Sequence, residues 1–201
     1  MVRQNPAMAS KDVRRRQAGP ANRLVCALVY DRMATFEFGI VTEMFALPRP
    51  ELDVPWYAFT VCATNRGPMR ATGGVSVQAP SGLGPLRRAG TIVIPGWRDP
   101  AERPPEVLLA ALRRAHARGA RLLSICSGVF VLAAAGLLDG RRATTHWRYV
   151  ERLRAAYPAI RVEPDVLYVD EGAILTQGGL QFQITYQGGT GGESVVLTCV
   201  G

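Results

Sequence analysis

An α/β fold is what the sequence predicts: a mostly parallel sheet with helices on both faces. Three observations carry it. Leu24–Val29, Thr91–Ile94 and Leu122–Ile125 are short, near-continuous apolar runs, as expected of strands covered on both sides. Stretches with helical spacing alternate with them, which calls for right-handed crossovers in one sheet. The length of 201 residues suits a single domain with a sizeable core.

In chain order, residues 1–22 are polar, carry Pro6, Gly19 and Pro20, and lack periodicity. They read as a disordered basic leader. After the Leu24–Val29 strand, Phe36 to Leu47 reads as a helix that stops before Pro48. Tyr57–Cys62 alternates and is rich in β-formers, a strand pattern. Val75–Gln78 reads as a short strand in a hairpin with the segment near Met69. Thr91–Ile94 ends in Pro95-Gly96-Trp97. Pro104-Pro105 opens a helix whose Val107, Leu108, Ala111, Leu112 and Ala115 share one face, and Gly119 ends it.

The Leu122–Ile125 strand leads through Cys126 into a helix over Gly128–Leu138. Trp147–Tyr157 is amphipathic and ends at Pro158. Val166–Val169 and Ala173–Thr176 flank the turn Asp170-Glu-Gly172 as two strands. From residue 177 glycines are frequent and no helical period is present. Ile184–Tyr186 and Val195–Val200 have strand character.

Composition narrows the function classes. No apolar run approaches the roughly 20 residues that span a bilayer, and no apolar region precedes a cleavage site. Cys26, Cys62, Cys126 and Cys199 lack CxxC spacing, so neither a zinc site nor a disulfide framework is expected. A reducing, cytoplasmic setting fits, with no metal and no cofactor. The net charge of +8 comes almost wholly from arginine; Lys11 is the single lysine. The run Lys11-Asp-Val-Arg-Arg-Arg16 has two readings, a phosphate contact or a solvated leader, and the composition suits the second.

In such sheets ligands bind beyond the carboxyl ends of the strands. The loop after the first strand, Pro95-Gly96-Trp97 and Cys126 all land there. A buried strand that ends in a thiol and turns sharply into a helix is the cysteine form of a nucleophile elbow. A helix amino end after Gly128 favours thiolate at Cys126; the alternative is a small buried hydrophobe. His146, in Thr144-Thr-His-Trp147, is either a candidate base or a hydrogen-bonded structural residue at a helix start. Arg148 stands two positions after it, so a His-x-Glu arrangement is absent. His116 reads as a solvated surface residue. Glu37, between Phe36 and Phe38, is placed to share a proton with the thiol; its other reading is a first-turn acid facing the helix dipole. The N–H groups of Gly96, Trp97 and Ser127 are candidates for an oxyanion or ligand-binding hole.

The segment Leu122-Leu-Ser-Ile-Cys-Ser-Gly128, continued by Leu132-Ala-Ala-Ala-Gly-Leu-Leu-Asp-Gly-Arg-Arg-Ala-Thr-Thr-His-Trp147, resembles the ThiJ/PfpI superfamily. Val29-Tyr-Asp-Arg-Met-Ala-Thr-Phe-Glu-Phe38 and Ile94-Pro-Gly-Trp-Arg-Asp-Pro100 resemble its GlxA-like branch of AraC-type regulators. The resemblance covers residues 23–176. It implies a flavodoxin-like, doubly wound, single-domain fold of the class I glutamine-amidotransferase type. It also matches Cys126 to the elbow cysteine, His146 to the Thr-Thr-His histidine and Glu37 to the acid contacting the thiol. Many relatives carry Gly-Gly where Gly96-Trp97 stands, and the indole is expected to narrow the pocket. Residues 177–201 stand where the resemblance leads one to expect a final helix and a helix-turn-helix region. Without that helix, apolar sheet surface is expected to favour dimers.

The resulting expectation is a ligand-sensing domain of a transcriptional regulator that binds a small metabolite and forms homodimers. DNA is contacted only through a region outside this chain, and no membrane is involved. The alternatives are a cysteine-dependent enzyme (a hydrolase, isonitrile hydratase or glyoxalase-like lyase using Cys126) and a thiol redox sensor.

Overall fold

The computed structural model describes residues 22–52, 54–178, 181–189 and 192–200; the basic run Lys11–Arg16 lies outside the described residues. β1 (Leu24–Val29) leads to α1 (Thr35–Phe45) and then to β2 (Ala58–Ala63). A small hairpin follows, β3 (Met69–Arg70) against β4 (Ser76–Val77), with Met69 opposite Val77. β5 (Thr91–Ile94) crosses through α2 (Glu106–Ala117) to β6 (Arg121–Ile125). Gly119, at a φ of 88°, closes α2 as a glycine in that region does.

β6 runs through a tight 3-10 turn at Cys126–Gly128 into α3 (Val129–Ala134). α3 is shorter than its apolar run suggests. Gly136 adopts a φ of 70°, and the Leu137 N–H reaches back to the Leu132 carbonyl, a glycine-terminated cap that ends the helix before Leu138. The short parallel pair β7 (Arg142–Ala143) and β8 (Arg161–Val162) brackets α4 (Val150–Ala156). β9 (Tyr168–Asp170) and β10 (Ile174–Gln177) form the last pair in the sheet. In the tail, β11 (Gln181–Gly189) and β12 (Gly192–Val200) pair antiparallel, Ile184 opposite Leu197.

The main sheet has the order β2-β1-β5-β6-β10-β9. Its first five strands are parallel and β9 is antiparallel. The chain leaves β1 to β2 on one side and returns to β5 on the other. That reversal is the switch point of a flavodoxin-like doubly wound fold, where ligands sit beyond the strand ends.

One sheet face buries Cys26, Leu28, Ile92, Ile94, Leu122 and Ile174 under α2 and α3. All six residues of α3 are buried, so this helix is core on every side. The other face carries Val25, Ala27, Val93 and Ile125 against Val41 of α1. There Leu123 and Leu175 stay half-buried and border a cavity of about 230 Å³ with Phe45 and Tyr57. His116 departs from its surface expectation. It is half-buried on α2, and its Nδ1 is buried without a hydrogen-bond partner among the described residues. Among those residues no helix is long and apolar enough to cross a membrane.

Candidate functional site

The carboxyl ends of β1, β5 and β6 converge on Cys126. Its φ is 55°, a left-handed backbone that costs a non-glycine residue on the order of 1–3 kcal/mol. The strain is imposed by neighbours. A Cβ at Gly128 would collide with the carbonyl oxygens of Ile94 and Pro95, so the turn after the thiol presses directly on the end of β5. Ser127 Oγ donates to the Trp97 carbonyl at 2.8 Å, and Thr145 Oγ1 donates to the Cys126 carbonyl at 3.0 Å, both buried. The Thr145 segment is itself held to the sheet, since the Thr144 N–H donates to Thr176 Oγ1 at 2.9 Å.

Glu37 sits in the first turn of α1, and its carboxylate also faces the thiol. A Cβ on Gly96 would lie 3.2 Å from Glu37 Oε1 and 3.3 Å from Ser127 Oγ, which places the carboxylate between the β5 turn and the elbow. Cys126 is 8% exposed. Burial, and then the Glu37 carboxylate, push its thiol up to about 12; hydrogen bonding from Ser127 opposes this and is outweighed. The expected thiolate is thus corrected to a protonated thiol. α3 begins only at Val129 and is six residues long, and the stabilisation offered from that side is outweighed by burial and by Glu37.

His146 borders the same cavity of about 220 Å³, with Phe36, Glu37, Ile125, Cys126, Arg148 and Tyr149. It caps the short turn Trp147–Tyr149: its Nδ1 accepts the Arg148 N–H at 3.3 Å. The neutral ring therefore carries its proton on Nε2. Burial, then Arg148, hold its pKa below the usual range, with Glu37 opposing. Among the described residues no hydrogen bond joins the imidazole to the thiol; the thiol's partners are Glu37 and Ser127.

Trp97 lies elsewhere than its sequence expectation. The indole is buried, meets Tyr30 edge-on at 4.6 Å and donates from Nε1 to the Glu102 carbonyl at 2.9 Å. Arg98, paired with Glu102, stacks 4.9 Å over it. The ring thus borders a second cavity with Tyr30, Asn65 and Leu108 and does not narrow the one at Cys126. The turn is held by a residue the sequence reading did not name. The Tyr30 hydroxyl lies 2.7 Å from the Pro95 carbonyl and 2.6 Å from that of Gly96. In trans peptides N–H and C=O point oppositely, so the Gly96 and Trp97 N–H groups face away from the phenol. Burial, and then the Glu37 carboxylate, raise the Tyr30 pKa well above its usual value, so it remains a donor. Its position immediately after β1 was the available signal. Tyr149 was likewise unnamed, and Arg148 was noted only as the non-acid two positions after His146, although both lie within three residues of it.

A larger cavity, about 820 Å³, lies in the 78–85 loop with Arg66. Its lining contains no acid, thiol or imidazole.

Comparisons with known proteins agree with this fold. The DJ-1/PfpI family profile matches residues 23–184. The HTH-type transcriptional regulator CdhR of Pseudomonas aeruginosa is 33% identical over 123 residues, covering 61% of this chain and 37% of that protein. The HTH-type transcriptional regulator GlxA of Rhizobium meliloti is 33% identical over 157 residues, covering 76% of this chain and 47% of that protein. The chain thus spans less than half the length of these regulators. A putative transcriptional regulator from Vibrio parahaemolyticus superimposes with a TM-score of 0.70 at 23% identity, covering 79% of this chain and 84% of that one, a likeness of fold. The chain belongs to the DJ-1/PfpI family.

Proposed function

We propose that residues 23–176 form a ligand-sensing module of an AraC-type transcriptional regulator, with the Cys126 cavity as the receptor site. One observation carries this reading: the thiol is buried and protonated, and the imidazole beside it is turned to its own backbone. An unarmed thiol and a neutral ring make a polar floor for binding. Glu37 accepts from a donor on the ligand, Arg148 faces its acidic end, and Phe36 and Tyr149 flank its apolar body. A cavity of about 220 Å³ suits a small amino-acid-like metabolite. Occupancy would press on α1 and on the Thr144–Arg148 segment together. The half-buried Leu123 and Leu175 support homodimer formation on that face, and a reducing cytoplasm keeps the thiol free. Sequence-specific DNA reading is assigned to helix-turn-helix elements outside residues 1–201.

The test is a thermal-shift screen of small amino acids, their amides and the parent carboxylates. A ligand at 100 times its Kd stabilises by about 2.7 kcal/mol, a readable shift. Glu37→Gln and Arg148→Ala should each abolish the response. Hits that survive both substitutions would remove the cavity from the reading.

The left-handed Cys126, with the Ser127 N–H at its sulfur, favours a second reading as a cysteine-dependent enzyme. Turnover of methylglyoxal or an isonitrile that disappears in Cys126→Ala would establish it. Burial and protonation of the thiol count against the redox-sensor alternative.

A further inference from the structure

We propose that the arginine rim at the amino ends of β5 and β6 holds the phosphate backbone of duplex nucleic acid without reading its sequence. Arg87, Arg88, Arg114, Arg118 and Arg121 are all exposed there. Backbone contacts knit their segments into one surface. Arg118 Nη2 donates to the Leu86 carbonyl at 2.8 Å, the Arg118 N–H reaches the Arg114 carbonyl, and the Arg121 N–H reaches Gly90, two residues after Arg88. β6 is five residues long, which puts this rim roughly 16 Å from Cys126 at the far end of the strand. The proposal is therefore independent of the sensing cavity.

Charge and surface chemistry identify the partner. Several arginines elsewhere find carboxylates: Arg32 and Arg98 pair with Glu102, Arg113 with Glu106, Arg142 with Glu171 and Arg154 with Glu151, while others such as Arg66 and Arg152 make no ion pair among the described residues but do not stand in a group of five on one knit surface. None of the five rim arginines forms an ion pair among the described residues. Asp170 borders the cavity beside Arg121 and still makes no ion pair with it. Five like charges left unpaired raise the local potential and call for a polyanion. None of the large exposed hydrophobic side chains lies on segments 84–90 or 113–121. Protein interfaces concentrate aromatic and apolar anchors at a core depleted of charge, and this rim has none. A surface of guanidinium groups without anchors fits phosphates, which arginine binds through its planar fork.

The test uses the full 201-residue chain and fluorescence anisotropy with two duplexes of unrelated sequence, across 25–200 mM NaCl. The probing variant is Arg87→Ser/Arg88→Ser/Arg114→Ser, whose side chains make no hydrogen bond among the described residues. The control is Arg103→Ser/Arg142→Ser/Arg154→Ser, which removes the same charge from ion-paired positions. Both retain the Lys11–Arg16 run, so their difference isolates the rim. Each phosphate contact contributes about 0.9 to the slope of log K against log salt, so the rim variant should lose roughly 2.7 of slope. The control should lose less than about 1, and both duplexes should bind alike. Equal losses in the two variants overturn the proposal. So does a duplex preference above tenfold, or binding of polyglutamate without duplex, which would assign the rim to an acidic protein.

Discussion

Replacing Glu37 by Gln removes the charge that faces Cys126 while keeping the side chain's size. At pH 8 a thiol of ordinary pKa near 9.0 is ionised in about one molecule in ten, whereas one raised to about 12 is ionised in about one in ten thousand. That difference is worth about 4 kcal/mol. Burial is its first cause and Glu37 its second, so the substitution recovers only part of it, on the order of 1–2 pH units. A lower-pKa thiolate is also a weaker nucleophile, which offsets nearly half of the gain in rate. Iodoacetamide labelling of the Cys126 peptide, followed by mass spectrometry from pH 6 to 10, reads the outcome. The wild-type rate should climb about tenfold per pH unit without a plateau. The Glu37→Gln rate should exceed it at each pH by roughly 3-fold to 10-fold. A wild-type plateau below pH 8, or a variant no faster than wild type, would refute the electrostatic argument and return the thiol to catalysis.

Gly128→Ala drives a methyl group into the Ile94 and Pro95 carbonyls and should cost about 3 kcal/mol, read as a lower urea midpoint at unchanged m. Thr145→Val leaves the buried Cys126 carbonyl without its donor and should cost about 1–3 kcal/mol in the same measurement. Phe130→Ala empties a fully buried site and should cost about 3–5 kcal/mol, more than either of these on average. The pH dependence follows from His146, whose folded pKa lies below its unfolded value of about 6.5. Above that value both states are neutral and nothing changes. As the pH falls below it the unfolded chain takes up the proton first, so stability is lost on acidification. Scanning calorimetry from pH 7.5 to 5.5 should show a fall in Tm that is shallower in His146→Asn.

The strands were legible wherever burial on both faces produced an unbroken apolar run, as at Leu24–Val29 and Thr91–Ile94. The two-residue pair β7 and β8 was not, because two residues carry no periodicity. The chain order also placed Cys126, His146 and Glu37 at one end of the sheet, since each follows a strand directly or lies one turn beyond. Charge state was hidden. The thiol's protonation depends first on its burial and then on the approach of the Glu37 carboxylate, and both are properties of how α1 packs over the sheet end. The direction of the Trp97 indole was hidden for a similar reason: Tyr30 and Arg98, distant or adjacent in sequence, compete for the ring and draw it into the other cavity.

Gly128 also bears on how this scaffold can be re-engineered. With backbone oxygens on two sides, the position admits no side chain, and the elbow is closed to variation from within. New recognition has to be written into the walls at Phe36, Arg148 and Tyr149, on segments that approach the thiol from outside the strand-turn-helix unit. A library randomised across residues 126–129 should return glycine at 128 in every folded clone, whereas one spread over the walls should retain the fold and change the ligand.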